Sequence, residues 1–554
     1  MLDSPFVHAL GTAYVPTQDE ISAVEALMKQ PLEEILCMDE TINQLENHLK
    51  QLRDKRRNLN EYVMAHKALV SHGRRLPADV LVNIFSHCLS TEHKPVCSTH
   101  TPPLVFGQIC RSWREISRST PRLWSRIHIV VPVSLQPSEF DIVARARCDG
   151  IRAWLNRSGV LPLFIALVTP PATVDTTPLV KQFLRVISEF CPRWWEVDVH
   201  IPDRSYPLLE TLLMQGLPIL EAIRMASTPE PHGVRNPSNE PASAIASSTW
   251  TLVLSPKLRE FSIIYPLRIR LSVPRQQLTT LSVGRSSSNK KCLPPDGAVS
   301  LLSRCNETLE ACSLAIASHN AIFQPFPAAI AQNPLPSFVP RMITFPKLQK
   351  LCIDNSDPLE SCRDFFSCLA VPALEELEFA HRPKDQDGVL SALPFSVMLA
   401  QSASALKSLT IEMSTITDDI LIPCLAALPS LETLTVKNST HSQYIVPSHI
   451  ELTDRLLAAL TPGSKAGSPA LCLRLQSFTF KNCGFTEAAL VKLLLSSCGS
   501  PSEPGVSRLR SARNHFPHEP HLVLPGEEHG ADLKPIIKEI IDSGVEVTFT
   551  YACI

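Results

Sequence analysis

The spacing of apolar residues changes character twice along the chain. Ile35, Met38, Ile42, Leu45, Leu49, Leu52, Leu59 and Val63 fall on alternating three- and four-residue steps. They fill the a and d positions of a heptad, with Arg56 at one a position. No Gly or Pro interrupts residues 32–72. The pattern predicts a helical segment over 18–72, preceded by a disordered start at 1–17. Residues 35–66 would span about 48 Å as one helix. Two arrangements fit the pattern. Residues 35–66 form a coiled-coil homodimer, or the helix packs in cis, for instance on a shorter helix 19–30 across Pro31.

The second block, 73–128, opens on Leu76-Pro77. Proline suits a first helical turn, where its missing N–H costs nothing, and Asp79 adds negative charge near that helix start. Val80, Leu81, Ile84, Phe85 and Cys88 then recur at helical spacing and define one apolar face. Residues 90–103 are polar, contain three prolines and read as a loop. A second helix is expected at about 104–118, presenting Val105, Ile109, Cys110, Trp113 and Ile116. The block closes on Pro121-Arg122-Leu123-Trp124.

From 129 onward a short phrase recurs: Leu, two residues, an apolar residue, one residue, another apolar residue. It begins at Leu220, Leu258, Leu278, Leu309, Leu348, Leu374, Leu406, Leu431 and Leu475. Worn copies surround Trp194-Trp195 and Leu123-Trp124. The last two apolar positions lie two apart, as one face of a strand requires. Helical patterns such as Ile420 to Ala427 lie between copies. The spacing is irregular, from 20 residues (Leu258 to Leu278) to 44 (Leu431 to Leu475). This reads as a degenerate leucine-rich repeat, one strand and one helix per unit, stacked over 129–498. An Asn or Cys after the strand appears only in places, at Asn355, Asn438 and Asn482-Cys483. No unit buries its apolar face alone, so the array needs caps. The 73–128 block serves one end. At the other, within 532–554, Ile536 to Ile541 predict a helix, Gly544 its end and Val545 to Tyr551 a last strand. Stretches at 228–249, 284–297 and 499–531 are rich in Pro, Ser, Gly and charge and read as loops, the last as a disordered one.

Charge is balanced, 52 Lys and Arg against 54 Asp and Glu. That excludes a global field for nucleic acid or an anionic membrane. No apolar run is long enough for a membrane span; the longest, Val160 to Val168, is broken by Pro162. Met1 to Val15 lacks a basic start and a continuous apolar core, so no signal peptide is expected. Cys553 is misplaced for prenylation. The 17 cysteines are scattered, many in apolar runs, which fits reduced thiols in the cytoplasm, the nucleus or both.

No constellation for catalysis, cofactor or metal emerges. Phosphate loops, dinucleotide fingerprints and hydrolase or zinc-protease motifs are absent. His87, Cys88, His93, Cys97 and His100 lack finger spacing, and His515, His518 and His521 sit in a Pro-rich loop. Glu375-Glu376 and Asp418-Asp419 occupy positions expected to face solvent. The chain is therefore expected not to be an enzyme.

Residues 75–128 resemble an F-box, in the F-box-like form common in fungal proteins. Leu76, Pro77, Val80, Leu81, Ile84, Phe85, Cys110 and Trp113 carry the resemblance; the long 90–103 loop departs from the usual pattern. The resemblance implies that these eight residues dock a Skp-type adaptor, itself linked to a cullin ubiquitin ligase, while the repeats bind an unidentified protein substrate. The expected architecture is α/β: a long N-terminal helix and a small helical F-box followed by a degenerate leucine-rich-repeat solenoid. Physical chemistry leaves two roles for the apolar face of the first helix, partner docking or packing against neighbouring parts of the chain. A repeat scaffold without ligase coupling is the alternative function.

Overall fold

The computed structural model describes residues 4–551 except 71, 90–93, 134–139, 172–174, 214–216, 229–254, 265–276, 285–291, 318–341, 357, 382–391, 403–404, 414–415, 439–451, 463–470, 499–506 and 517–533. The chain forms two compact units, Met1–Ile84 and Phe85–Ile554.

In the first unit, helix α1 (Gln18–Leu69) is continuous across Pro31. Glu20 accepts the Thr17 N–H at 2.7 Å, reciprocating at the helix start. Asp19 and Glu20 in the first turn and His66 and Lys67 in the last complement the helix dipole. Residues 4–17, expected to be disordered, form turns and extended chain leading to this cap. The heptad positions named above are all exposed, from 45% at Val63 to 64% at Leu45. Packing in cis against the segment before Pro31 does not occur, because 18–30 and 32–69 are one helix.

In the second unit, fourteen described strands pair in parallel in the order in which they occur in the chain. The first is Arg126–Val130 and the last Glu546–Tyr551. Ile343–Thr344 and Leu369–Ala370 form a separate small pair. Parallel neighbours cannot be joined by tight turns, so each strand needs a crossover connection. Helices such as Thr177–Ser188, Leu359–Ser367 and Glu487–Cys498 supply several of these.

Each of the nine copies of the recurring phrase becomes a strand starting two residues after its first Leu, from Ala222–Thr228 to Ser477–Lys481. Register aligns the copies side by side. Ile223, Phe261, Leu281, Cys312, Leu351, Leu377, Leu409, Leu434 and Phe478 form one buried column. The residues two further on, from Met225 to Phe480, form a second. Full burial of such a side chain stabilises by about 1.5–3 kcal/mol. The residue after the first Leu has a repeated job as well. Its carbonyl accepts two N–H groups of the next unit, as Glu375 does from Lys407 and Ser408 (2.8 and 2.9 Å).

That double acceptance continues past the ninth copy. Gln476 accepts from Arg510 and Ser511, and Ser511–Phe516 is a parallel strand beside Ser477–Lys481. A strand at Ser511–Phe516 thus replaces the middle of the loop expected over 499–531, whose residues 499–506 and 517–531 lie outside the described residues. Leu509-Arg-Ser-Ala-Arg-Asn is a copy of the phrase in which buried Ala512 and Asn514 replace the apolar pair. Leu163–Val168 also joins the sheet, between Arg126–Val130 and Trp194–Pro202. The end of the sheet follows expectation: helix Lys534–Asp542, then Gly544 at φ +95°, then Glu546–Tyr551. Residues 229–249 of one of the other two predicted loops and 285–291, half of the second, lie outside the described residues. Within 284–297, Pro295 already begins a helix, Pro295–Leu302.

Successive helix starts are tied together by acids. Asp418, expected to face solvent, is buried and accepts the Thr453 N–H (3.1 Å) and hydroxyl. Asp454 does the same for Thr486, at 2.8 and 2.7 Å. Asp419 stays exposed and pairs with Arg455, and Glu375 and Glu376 pair with Lys407 and Lys350. The described cysteines are free thiols; burial pushes Cys424 and Cys472 up to about 12, so they remain protonated at neutral pH.

Removing a charged acceptor from a buried donor costs about 1.5–3 kcal/mol. Asp418→Ala is expected to destabilise the chain by that amount, read as a lowered urea midpoint. An unchanged midpoint contradicts the role given to Asp418.

Candidate partner-docking site

Helix α2 (Ala78–His87) carries the candidate site. Leu76 and Pro77 precede it, and the Leu81 N–H donates to the Pro77 carbonyl at 3.1 Å, closing the first turn. The eight residues singled out from the sequence separate into two sets.

One set is accessible. Leu76, Val80 and Ile84 are 38%, 38% and 39% exposed. Val80 and Ile84 are one four-residue step apart and share a face of α2; Leu76 and Pro77, just before the helix start, are exposed as well. The other set is internal. Leu81 is 3% exposed and Phe85 0%. Phe85 stacks on Phe106 at 4.1 Å between ring centroids, with the planes only 11° apart, and meets Trp113 at 4.9 Å, tilted by 60°. Offset stacks and tilted contacts of this kind add about 0.5–1.5 kcal/mol beyond area burial. Cys88, expected on the apolar face, follows the helix and is exposed.

The single helix expected over 104–118 is two helices, α3 (Phe106–Ile109) and α4 (Arg111–Arg118). Cys110 breaks them with extended backbone, φ −158° and ψ 170°. Its thiol accepts the Trp113 N–H at 3.5 Å, so it acts as the N-cap of α4. Cys110 and Trp113 are half-buried; both organise the module from within. The Trp124 indole N–H then donates to the Ser117 carbonyl at 2.7 Å, and Arg157 lies over the Trp124 ring. The loop before α3 is anchored as well: the Pro95 carbonyl accepts the His128 N–H at 2.7 Å, and Val96 bridges to His128.

Phe106 was not foreseen as part of this cluster. Its signal was the run Leu104-Val105-Phe106, but a continuous helical reading put Val105 on the inner face. The break at Cys110 resets that phase.

Among the described residues no group of three or more His, Cys, Asp or Glu could hold a metal ion; His93, His518 and His521 lie outside them. His515 is in a strand and pairs with the Thr550 hydroxyl at 2.9 Å. No described helix is long and apolar enough to cross a membrane. A charged cluster does form on the sheet. Glu196 accepts from Lys94 (3.0 Å) and Arg224 (2.8 Å), and Arg224 also reaches Glu260 (3.0 Å). Burial pulls the Glu196 carboxyl up, but its two cations hold it below the ordinary carboxylate range.

Residues 74–130, about a tenth of the chain, match the F-box-like family. Such a domain points in general terms to an adaptor role in ubiquitin ligation, exerted through protein–protein contacts with a Skp-type partner. No curated protein matches the chain.

The two sets make opposite predictions on substitution. Phe85→Ala is expected to cost about 3–5 kcal/mol of stability, whereas Ile84→Asp changes stability by about 0.5 kcal/mol or less. Thermal unfolding of the two variants checks this; equal losses contradict the division.

Proposed function

We propose that the chain is the substrate-recognition adaptor of a cullin-type ubiquitin ligase. The observation that carries the reading is an F-box-like segment that keeps Leu76, Val80 and Ile84 exposed at and along its first helix. Val80 and Ile84 on one face of the helix, with exposed Leu76 just before its start, suit a helix-in-groove contact. On this reading the stripe touches the Skp-type adaptor. Leu81, Phe85, Cys110 and Trp113 position it. The chain contributes recognition and no catalysis, and works in the cytoplasm or nucleus, where cullin ligases act.

The second surface is the array of strands, read here as a leucine-rich-repeat solenoid. Outward strand residues sit between the inward columns and are not fixed by packing. They include the Thr410, Thr435, Thr479 and Arg513 row and the Glu196–Arg224 cluster. Side chains of this kind fit a polar protein substrate. The alternative is a repeat scaffold without ligase coupling, dimerised through residues 35–66. The exposed heptad face of α1 favours the dimer and is compatible with either function.

Co-purification with a Skp-type adaptor tests the reading. The wild-type chain is expected to retain the adaptor. Val80→Asp plus Ile84→Asp is expected to weaken binding about 100-fold or more, since each carboxylate would be buried without a partner. Retention of the adaptor by that folded double variant, or none by the wild type, overturns the proposal.

A further inference from the structure

We propose that two copies of this chain join through α1 in antiparallel orientation. The inference deepens the dimer reading above and rests on it.

The apolar seam supplies the adhesion. Ile35, Met38, Ile42, Leu45, Leu49, Leu52, Leu59 and Val63 lie along one side of α1, each at least 45% exposed. A stripe of that length on a soluble helix calls for a covering surface. Its heptad period matches another helix of the same kind. The surface of α1 carries a shallow groove lined by Leu52, Lys55, Arg56, Leu59, Asn60 and Val63. Residues at i, i+3, i+4 and i+7, such as the first four of these, form the hole that receives one knob from a facing helix.

Charge decides the orientation. Residues 18–46 hold eight Asp or Glu and one Lys, a net charge of −7. Residues 47–69 hold six Lys or Arg and two acids, a net charge of +4. The helix dipole rewards such a gradient only in the first and last turns. Glu34, Asp39, Arg53 and Lys55 lie well inside α1, so the dipole does not account for them. These four occupy the positions flanking the seam. In a parallel pair Glu34 would face Asp39 of the other chain, and Arg56 would meet Arg56 in a shared layer. In an antiparallel pair the acidic half of each helix lies against the basic half of the other.

One antiparallel register satisfies the seam and its flanks together. Leu45 packs beside Leu49 of the second copy, Ile42 beside Leu52 and Ile35 beside Leu59. Met38 then enters the hole around Arg56. Its flexible thioether suits the aliphatic stem of that arginine, whose guanidinium lies near Glu34 and Asp39. Glu34 faces Lys55, and Asp39 faces Arg53. The C-terminal ends of the two helices, and the F-box-like segments that follow them, leave at opposite ends of the pair.

Carbodiimide cross-linking of the full-length protein tests the orientation, because it joins a carboxylate to a lysine in direct contact. Glu34 and Lys55 are about 32 Å apart along one helix, so a link between them cannot form within α1. Equal amounts of isotopically light and heavy chain are mixed, cross-linked and digested, while sedimentation reports the oligomeric state. The expected result is a dimer with mixed light–heavy Glu34–Lys55 peptides. Glu34→Lys plus Asp39→Lys is expected to raise the dissociation constant about tenfold or more at low salt, whereas a parallel dimer would keep like charges facing and change little. A dimer lacking the Glu34–Lys55 link, or indifferent to that double variant, overturns the antiparallel orientation alone. A monomer at tens of micromolar overturns the dimer itself.

Discussion

A strand that presents two apolar side chains to one side can bury them only if strands on both flanks do the same. That mutual dependence governs the second unit. Each strand brings a pair such as Leu409 and Ile411, and register sets it beside Leu377 and Phe379 on one side and Leu434 and Val436 on the other. The backbone repeats the bargain, with one carbonyl per unit receiving two N–H groups from the next. Acids at helix starts tie neighbours together on the helical side, Asp418 to Thr453 and Asp454 to Thr486. Because all three devices act between nearest neighbours, units differ in length without disturbing the columns. The same logic leaves the outward strand positions unconstrained, which is where a recognition surface has freedom to vary.

The F-box-like segment divides its labour differently. Phe85, Phe106 and Trp113 form an aromatic nucleus, and Cys110 ends one short helix and caps the next. This nucleus buries Phe85, near the end of α2. Leu76, Val80 and Ile84 are left on an accessible stripe, while Leu81 and Phe85 are spent on folding. A substitution at Phe85 that abolished partner binding would therefore say little about contact. One at Ile84 would say much more.

Much of this was legible in the sequence. The heptad along α1, the nine phrases and the closing helix–Gly544–strand unit depend on local periodicity, which sequence displays directly. Two strands of the fourteen-stranded sheet escaped notice for physical reasons. Ser511–Phe516 turns Ala512 and Asn514 inward, so its alternation carries no hydrophobic signal. Leu163–Val168 has an almost unbroken apolar run, which hides the period of two. In the candidate site the apolar positions of α2 were identified, but not their sorting into nucleus and surface. The burial of Phe85 depends on Phe106, twenty-one residues further along the chain, and on the backbone break at Cys110. Asp418 was misassigned because its donors belong to Thr453, in the next unit.

The proposed function requires that the exposed stripe at the start and along one face of α2 meet an adaptor. Hydrogen–deuterium exchange of the full chain, alone and with a purified Skp-type adaptor, examines this most directly. Slowed exchange concentrated in residues 76–88 is the predicted result. Protection confined to the strands beyond 126, or no change anywhere, would contradict it.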